Sequence, residues 1–358
     1  MSDVVARFDE ANRFYIRDLA RQIAAIRDDE LADIIALFAA LSVNMAAVNA
    51  QIDRAVDQSA KDIGRIYDQT INDVYADQRF SRALRDTPLS DEAKRSIEQR
   101  KAAVERETGR VMRRLTRANN VSDTYRQAAN KGVISLRSGL GNYDGLMRPT
   151  LRKIGRVGLQ VMGDDLKNHS LESYIENYIE DGIQEITQYA NDVIAEEVKL
   201  DAVEISVHED PAPDHEPFQG HIFMRGEFNK LQNHEDFTDI DGERFPAQIR
   251  AIGELNCRHL AFGFSSKYGV RRYSKRQLRD MEARNRRGCI INGKHYTLYE
   301  ARQLTNRLIS EKGRLENILI AAISAHDSAL ENETMDKIGN VKAQMKDIAK
   351  AIGESKTS

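Results

Sequence analysis

The first 87 residues contain no proline and a single glycine, Gly64. Because proline ends helices and glycine weakens them, a run of this length almost without either is typical of long helices. Side chains recur there in alternating steps of three and four, which predicts an a/d-like stripe along one helix face. The stripe consists of Met45, Val48, Ile52, Val56, Ser59, Ile63, Ile66, Thr70 and Val74. We predict one very long helix, or two with a break near Asp28 and Asp29, packed within a bundle.

Composition excludes several classes of protein. Charged residues make up 30% of the chain and aromatic residues 6%, with no Trp, which favours long solvated helices over a deep aromatic pocket. Two cysteines cannot build a disulfide framework and fit a reducing compartment. The N-terminus lacks the apolar region of a secretory signal, and no stretch reaches the length of a membrane span. We therefore expect an intracellular product without membrane segments.

Turn and capping signals divide the chain into five predicted segments. Ser90 begins one helix after Pro88, Ser122 begins another, and further helices are expected at 148–162 and 170–199. Glycines at 132, 139, 141 and 145 indicate a hinge. The segments are an N-terminal long-helix arm (1–131), a Gly-rich hinge (132–147), a helical connector (148–199), a small α+β module (200–297) and a C-terminal helical tail (298–358). The predicted fold class is mainly α, with elongated helical arms or a bundle and this one small module.

The module is predicted from a change of period. Residues 203–208 alternate apolar and polar side chains, which indicates a strand, and 239–245 resembles a hairpin tip. Ser274 begins a helix that Gly288 ends, and Asn292-Gly293 suits a type I′ hairpin turn. A capping box from Thr297 to Glu300 then opens a single long final helix.

Rare residue types concentrate within the module. Five of the eight histidines, four of the six prolines and one of the two cysteines lie between residues 208 and 259. The candidate site residues are His208, Asp214, His215, Gln219, Gly220, Asn256, Cys257, Arg258 and His259. Thiolate and imidazole are the ligands that zinc prefers, so His208, His215, Cys257 and His259 are candidate zinc ligands. Since the chain has no Cys-x-x-Cys or His-x-x-x-His pair, we prefer a hydrogen-bonded polar core that organises the fold.

Two further interpretations of this segment are kept. Cys257 would act as a nucleophile with His215 or His259 as the base and Asp214 as the orienting carboxylate. Alternatively, Asp210, Asp214 and His215 would hold the metal of a nuclease. Neither interpretation identifies an acid–base pair in a defined pocket, so we expect that the protein is not an enzyme. We also expect no firmly bound cofactor; the one candidate is zinc.

Basic charge is also uneven along the chain. Residues 89–153 carry fifteen Lys or Arg against seven Asp or Glu, although the net charge of the chain is −3. A second basic stretch, 271–287, has eight positive and two negative residues. Its candidate phosphate contacts are Arg271, Arg272, Lys275, Arg276 and Arg279, and such contacts would be salt-sensitive and independent of sequence. The alternative that we prefer is a solvated face or an acidic protein partner.

Several short motifs of the module follow one another in a fixed order. The strand of 203–208 ends in Ser206-Val207-His208, and Pro213-Asp214-His215 and then Gln219-Gly220 follow it. In this order they resemble tailed-phage minor capsid proteins of the minor capsid protein 2 type. The resemblance continues through 228–233, 236–239, 253–259 and 293–300, and covers about residues 170–315. More distantly, the Pro-x-His and Asn-Cys-Arg motifs resemble phage Mu F-like head morphogenesis proteins. The chain departs from the pattern at Ala212, where the family often has Arg, and at Phe218, where Trp is usual.

The resemblance implies a component of the virion or procapsid, made in the host cytoplasm and present in few copies. It implies a place near the portal vertex, in contact with portal or major capsid subunits and in several copies per particle. The expected role is to assist head assembly, DNA packaging or DNA delivery, with DNA as a further candidate partner.

Overall fold

A computed structural model of the chain describes residues 1–25, 31–77, 84, 87–117, 143–162, 168–254 and 257–357. These residues form a mainly α-helical fold with a few short antiparallel sheets, which confirms the predicted fold class. None of the described helices is both long enough and apolar enough to cross a bilayer. The helices are α1 (Ser2–Ala25), α2 (Leu31–Ala76), α3 (Asp91–Arg117), α4 (Tyr143–Val157), α5 (Leu171–Glu197), α6 (Arg225–Gln232), α7 (Lys275–Arg287), α8 (Leu298–Ser324) and α9 (Ser328–Thr357).

The strands are short and pair only in antiparallel fashion within the described ranges. One sheet has three strands in the order β4-β3-β7, and the pairs β1-β2, β5-β6 and β8-β9 form two-stranded sheets. The strands are β1 (Gln160–Met162), β2 (Asn168–Ser170), β3 (Ala202–Ile205), β4 (Ile222–Met224), β5 (Phe237–Thr238), β6 (Arg244–Phe245), β7 (Ala261–Phe264), β8 (Cys289–Ile291) and β9 (Lys294–Tyr296).

The chain divides into two compact units, each made of three segments. Unit 1 comprises Met1–Ile63, Glu107–Ile179 and Thr305–Lys346, and unit 2 comprises Gly64–Arg106, Glu180–Leu304 and Asp347–Ser358. The five-segment division that the sequence predicts stays a prediction. The predicted break at 28–29, the helix from Ser122 and three hinge glycines (132, 139 and 141) lie outside the described residues.

Unit 1 is held by close approaches between elements that are distant in sequence. A Cβ at Gly155 of α4 would lie 2.5 Å from the backbone of Ile318 in α8, so these helices touch through their backbones. The Asn12 side chain of α1 accepts a hydrogen bond from the Leu159 N–H at 2.7 Å. Arg148 donates to both oxygens of Asp327, at 2.8 and 3.1 Å from Nε. These contacts fix the segment that leads from α4 into β1.

The heptad-like stripe of α2 is buried, with one shift of register. Six of its predicted residues are buried: Val48, Ile52, Val56, Ser59, Ile63 and Val74. Towards the C-terminal end, however, Tyr67 and Ile71 are buried in place of Ile66 and Thr70. Because a straight helix has 3.6 residues per turn, a strict 3.5-residue stripe drifts around its surface and the buried row moves by one position. Met45 has no described side chain.

Unit 2 contains the predicted module, residues 200–297, whose core lies on the sheet β4-β3-β7. All four residues of β3 are buried. The core cluster adds one aromatic residue from each of several elements, with edge-to-face or stacked rings 5.3–5.9 Å apart. These rings belong to Phe218, Phe223, Phe237 and Phe245.

Local sequence signals in the module are confirmed. Ser274 and Gln277 form a capping box at the start of α7, and Gly288 follows its last residue. Asn292 and Gly293 have φ of +49° and +77°, as the turn between β8 and β9 requires. At the start of α8 the Glu300 N–H donates to Thr297 Oγ1 at 3.1 Å, and the Thr297 N–H donates to Glu300 at 2.8 Å.

Three boundary predictions were wrong. The helix expected at 148–162 begins at Tyr143, within the predicted hinge, so that the fourth hinge glycine, Gly145, is helical. The helix ends at Val157, because Gly158 adopts φ +55° and donates to the Ile154 carbonyl; residues 160–162 form β1. The strand expected at 203–208 ends at Ile205: the Ser206 N–H still donates to the Leu260 carbonyl at 2.8 Å, but the Leu260 N–H donates to the Ser206 hydroxyl at 2.9 Å, so the pair lacks its second backbone bond. The single final helix is two helices, since Asp327 caps a new one by accepting from the Leu330 N–H at 3.0 Å.

Candidate functional site

The His/Cys segment meets at one end of the sheet, where β3 ends and its antiparallel neighbours β4 and β7 begin. The chain leaves β3, makes the Pro-rich turn and returns at Gly220, whose N–H donates to the Ile205 carbonyl at 3.1 Å. Gly220 has φ +70°, and a Cβ there would lie 2.5 Å from Leu278 and 2.8 Å from Val207. Only glycine fits this conformation and this space, which gives the Gln-Gly motif a physical reason.

Three ligand atoms face one another beside this turn. Nδ1 of His215 lies 3.4 Å from Nδ1 of His259, and Sγ of Cys257 lies 3.4 Å and 3.8 Å from those two nitrogen atoms. The exposed fraction is only 1% for His215, 3% for Cys257 and 4% for His259. We call this group the His/Cys cluster. It brings the Cys257 thiol together with the imidazole of His215, which lies 42 residues earlier in the chain, and with that of His259, which lies two residues later.

The surrounding hydrogen bonds set the tautomers of both histidines. Gln219 Oε1 accepts a hydrogen bond from the His208 backbone N–H at 2.8 Å, so the side-chain atom at this position is the amide oxygen and not the nitrogen. The same oxygen lies 3.4 Å from Nε2 of His259. Nε2 of His215 lies 3.2 Å from the Arg250 carbonyl. Because both partners are acceptors, each Nε2 carries the hydrogen and donates it. Both Nδ1 lone pairs therefore point into the cluster.

Burial keeps both imidazoles of the cluster uncharged at neutral pH. Desolvation, with His208 and His215 adding repulsion, lowers the pKa of His259 to about 3. Desolvation also lowers the pKa of His215, against the opposing pull of Asp214. Among the described residues, the Cys257 thiol is the one group with a hydrogen that contacts both Nδ1 atoms. It can satisfy only one of the two, and a buried acceptor left unsatisfied costs about 1–3 kcal/mol.

Two glutamines of α5 hold the chain around Cys257 and His259. Gln184 donates to the Cys257 carbonyl at 2.6 Å, and Gln188 both donates to the Ala261 carbonyl and accepts from its N–H, at 3.1 and 2.9 Å. The sequence interpretation missed both residues. Their spacing of four puts them on one helix face, but the sequence does not say which segment that face meets.

Asp214 lies beside Nε2 of His215, on the side of the ring opposite the cluster, with its Oδ2 3.8 Å away, and it forms an ion pair there. Arg250 binds both of its oxygens, at 2.7 and 2.8 Å, and this guanidinium holds the pKa of Asp214 below its usual range. A guanidinium thus reaches the Pro-x-His turn although position 212 is alanine. It comes from Arg250, which the sequence interpretation also missed.

The other predicted site residues surround the cluster without joining it. The His208 ring meets the His259 ring edge-on at 4.4 Å, and its buried Nε2 has no hydrogen-bond partner within the described ranges. His208 does not belong to the group of mutually close ligand atoms. Arg258 points outward and pairs with Glu180. Asn256 lies outside the described residues.

The basic segment 271–287 is partly neutralised. Arg271 binds Asp241 through two bonds of 2.6 Å, and Lys275 lies 3.2 Å from the same carboxylate. Arg276 pairs weakly with Asp280 at 3.8 Å, and both side chains are largely exposed. Three of the five predicted phosphate contacts therefore already have an anionic partner, and DNA contact stays a prediction.

A second group of possible ligands, His221, Asp239 and Glu243, has a structural explanation. Asp239 accepts from His221 at 2.9 Å through one oxygen, and from the N–H groups of Asp241 and Glu243 at 2.9 and 2.8 Å through the other. One of its oxygens is thus occupied by the turn that joins β5 to β6, and the other by His221.

Comparison with known proteins identifies the family. The family model described as phage minor capsid protein 2 matches residues 1–350. The chain therefore belongs to the phage minor capsid protein 2 family, whose role in the virion is structural. The match extends over the N-terminal helices, well beyond the 170–315 range in which the motifs lie. No curated protein and no solved structure matches the chain.

Proposed function

We propose that this minor capsid protein sits at the portal vertex in a few copies per particle and docks onto portal subunits during head assembly in the host cytoplasm. The observation that carries this proposal is the family match over residues 1–350, nearly the whole chain. A structural docking role accounts for the helices as well as for the module. A role in DNA packaging or delivery would follow from that position.

The burial of the His/Cys cluster supports binding over catalysis. The candidate nucleophile Cys257 and both candidate bases are exposed by at most 4%. The proposed orienting carboxylate, Asp214, is engaged by Arg250 instead. A substrate would need the module to open before it reached these groups, so their chemistry serves the fold.

The surface that we assign to docking is the exposed loop of residues 266–272. Tyr268 and Val270 are exposed by 66% and 85%, whereas large apolar side chains are usually covered in a finished assembly. The loop is anchored at both ends: the Ser266 N–H donates to Asp201 at 2.8 Å, and the Arg272 N–H donates to the buried Glu204 at 2.9 Å. A loop fixed in this way loses little conformational entropy on binding, which favours affinity.

The test is quantitative mass spectrometry of purified procapsids and mature virions, with the portal as the internal standard. We expect a low, fixed ratio to portal in both particles. A copy number that scales with the major capsid protein, or absence from both particles, would contradict the proposal.

The docking loop has its own test with a matched control. The double variant Tyr268→Ser/Val270→Ser should reduce incorporation by roughly tenfold or more, because buried aromatic anchors dominate interfaces. Ile290→Ser, which changes a side chain exposed by 68% on the β8–β9 hairpin, should incorporate normally. Equal loss in both variants would argue against a specific role for the loop.

DNA binding is the alternative function, and the basic segment 271–287 is where it can be tested. It predicts retention of duplex DNA with a steep dependence on salt, lost when Arg271, Arg272, Lys275 and Arg276 are neutralised together. Salt-insensitive or absent binding would remove it.

A further inference from the structure

We propose that His215, Cys257 and His259 bind one zinc ion, which fastens the Pro-rich turn to the segment that leads into β7. The donors would be Nδ1 of both histidines and Sγ of Cys257. The zinc proposal does not depend on the location of the protein in the particle.

The first argument is geometric. Zinc–nitrogen bonds of about 2.05 Å and zinc–sulfur bonds of about 2.3 Å at tetrahedral angles place two nitrogen ligands about 3.3 Å apart, and nitrogen and sulfur about 3.6 Å apart. The cluster has 3.4 Å between the nitrogen atoms and 3.4 and 3.8 Å from sulfur to nitrogen. All three separations agree with one tetrahedral ion to within a few tenths of an ångström.

The second argument is the direction of the lone pairs. A histidine that binds metal typically donates its other ring N–H to a carbonyl or carboxylate, which fixes the ring and its tautomer. His215 donates in this way to the Arg250 carbonyl, and His259 faces the Gln219 amide oxygen. Two Nδ1 lone pairs then face each other at 3.4 Å, an arrangement that a cation stabilises and that one thiol hydrogen satisfies only in part.

The third argument is the chemistry of the donor set. Zinc binds imidazole and thiolate, the two donor types that the cluster brings together in a buried site. Imidazole and thiolate together suit zinc better than magnesium or calcium, which prefer oxygen ligands. A third imidazole, that of His208, packs against the ring of His259. It lies outside the group of mutually close ligand atoms, so we assign only three protein ligands.

The experiment uses the full chain, purified under reducing conditions from zinc-supplemented culture. Metal content is measured by inductively coupled plasma mass spectrometry in wild type, Cys257→Ser, His259→Gln and Cys289→Ser. We expect about one zinc per chain in wild type and in Cys289→Ser, which changes the other buried cysteine, and little zinc in the two cluster variants. Zinc content in Cys257→Ser equal to wild type would overturn the proposal.

A measurement on the wild type alone covers the case in which the variants fail to fold. The metal-free chain is titrated with Co²⁺, and the absorption spectrum should show tetrahedral d–d bands together with a sulfur-to-cobalt charge-transfer band. A chelator should also lower the unfolding temperature of the zinc-loaded protein. A folded wild-type chain that carries no zinc and gives no such cobalt spectrum would leave a hydrogen-bonded polar core, and the zinc proposal would be wrong.

Discussion

The His/Cys cluster and the 266–272 loop lie in the same module, yet they place polar and apolar groups in opposite ways. In the cluster, a thiol and two imidazoles are almost fully removed from water and face one another. The carboxylates of Asp201 and Glu204, which lie outside the loop, anchor its backbone, while its own side chains Tyr268 and Val270 project into solvent. The difference separates what holds the module together from what it offers to a partner.

The largest effect should come from breaking the turn that positions the cluster. Gly220→Val would force a β-branched residue into φ +70° and press its side chain against Leu278 and Val207. We expect a loss of roughly 2–5 kcal/mol of unfolding free energy, measured by urea denaturation. Gly226→Ala is the matched control, because a Cβ there meets nothing within 4 Å. Similar losses in both variants would show that the close approach at Gly220 does not contribute to the stability of the module.

The next effect is a dependence of stability on acid. The folded pKa of His259 is lowered to about 3, whereas an unfolded histidine titrates near 6.5, so the unfolded chain binds more protons between these values. In the metal-free protein, the contribution of this ring to the unfolding free energy should therefore be fully present above about pH 6.5. Below that pH the unfolding free energy should fall by about 1.4 kcal/mol per pH unit. Urea unfolding of the chelator-treated protein from pH 7 to pH 5 measures this slope, and His259→Gln should reduce it. A flat wild-type profile would show that the ring is not desolvated.

A smaller loss should follow from removing the Asp214 partner. Arg250→Ala leaves a partly buried carboxylate without its two charge-assisted bonds, and we expect about 1–2 kcal/mol of destabilisation at neutral pH. Because Arg250 lowers the pKa of Asp214, this contribution is present above about pH 4 and disappears as the carboxylate is protonated. Arg302→Ala, which removes an exposed pair with Asp210, should cost clearly less. A difference between wild type and Arg250→Ala that persists at pH 2 would assign the effect to packing.

The smallest effect on stability should come from the loop. Tyr268→Ser/Val270→Ser removes side chains that contact mainly water, so the unfolding temperature should stay within experimental error of wild type even though incorporation into procapsids falls. Differential scanning calorimetry measures this. A strongly destabilised variant would mean that the loop supports the fold, and the comparison with the cluster would lose its basis.

Short-range features of the fold were predictable. The capping boxes at Ser274 and Thr297 and the turn at Asn292-Gly293 each depend on residues within four positions of one another, so the sequence contains the whole interaction. The break after Ser324 was equally local, since Asp327 is a good N-cap, but the apolar period continues through it. There, a capping signal outweighed periodicity.

The candidate site was predictable only in its residue types. Cys257 and the histidines stood out because such residues are rare in this chain, and the order of the motifs gave the family before the geometry was known. The sequence did not separate His208 from the other three possible ligands, and nothing in it pointed to Gln184, Gln188 or Arg250. Those three residues act on partners that are 36–75 residues away along the chain.

The sequence by itself therefore determined the helical class, the local turns and the family. The tertiary structure alone decided which atoms face one another. Local structure follows from strong interactions between near neighbours, whereas the orientation of a buried ring follows from packing and hydrogen bonds contributed by several distant segments. The Nδ1 atoms of His215 and His259 converge because Gln219 and the Arg250 carbonyl occupy the opposite sides of their rings.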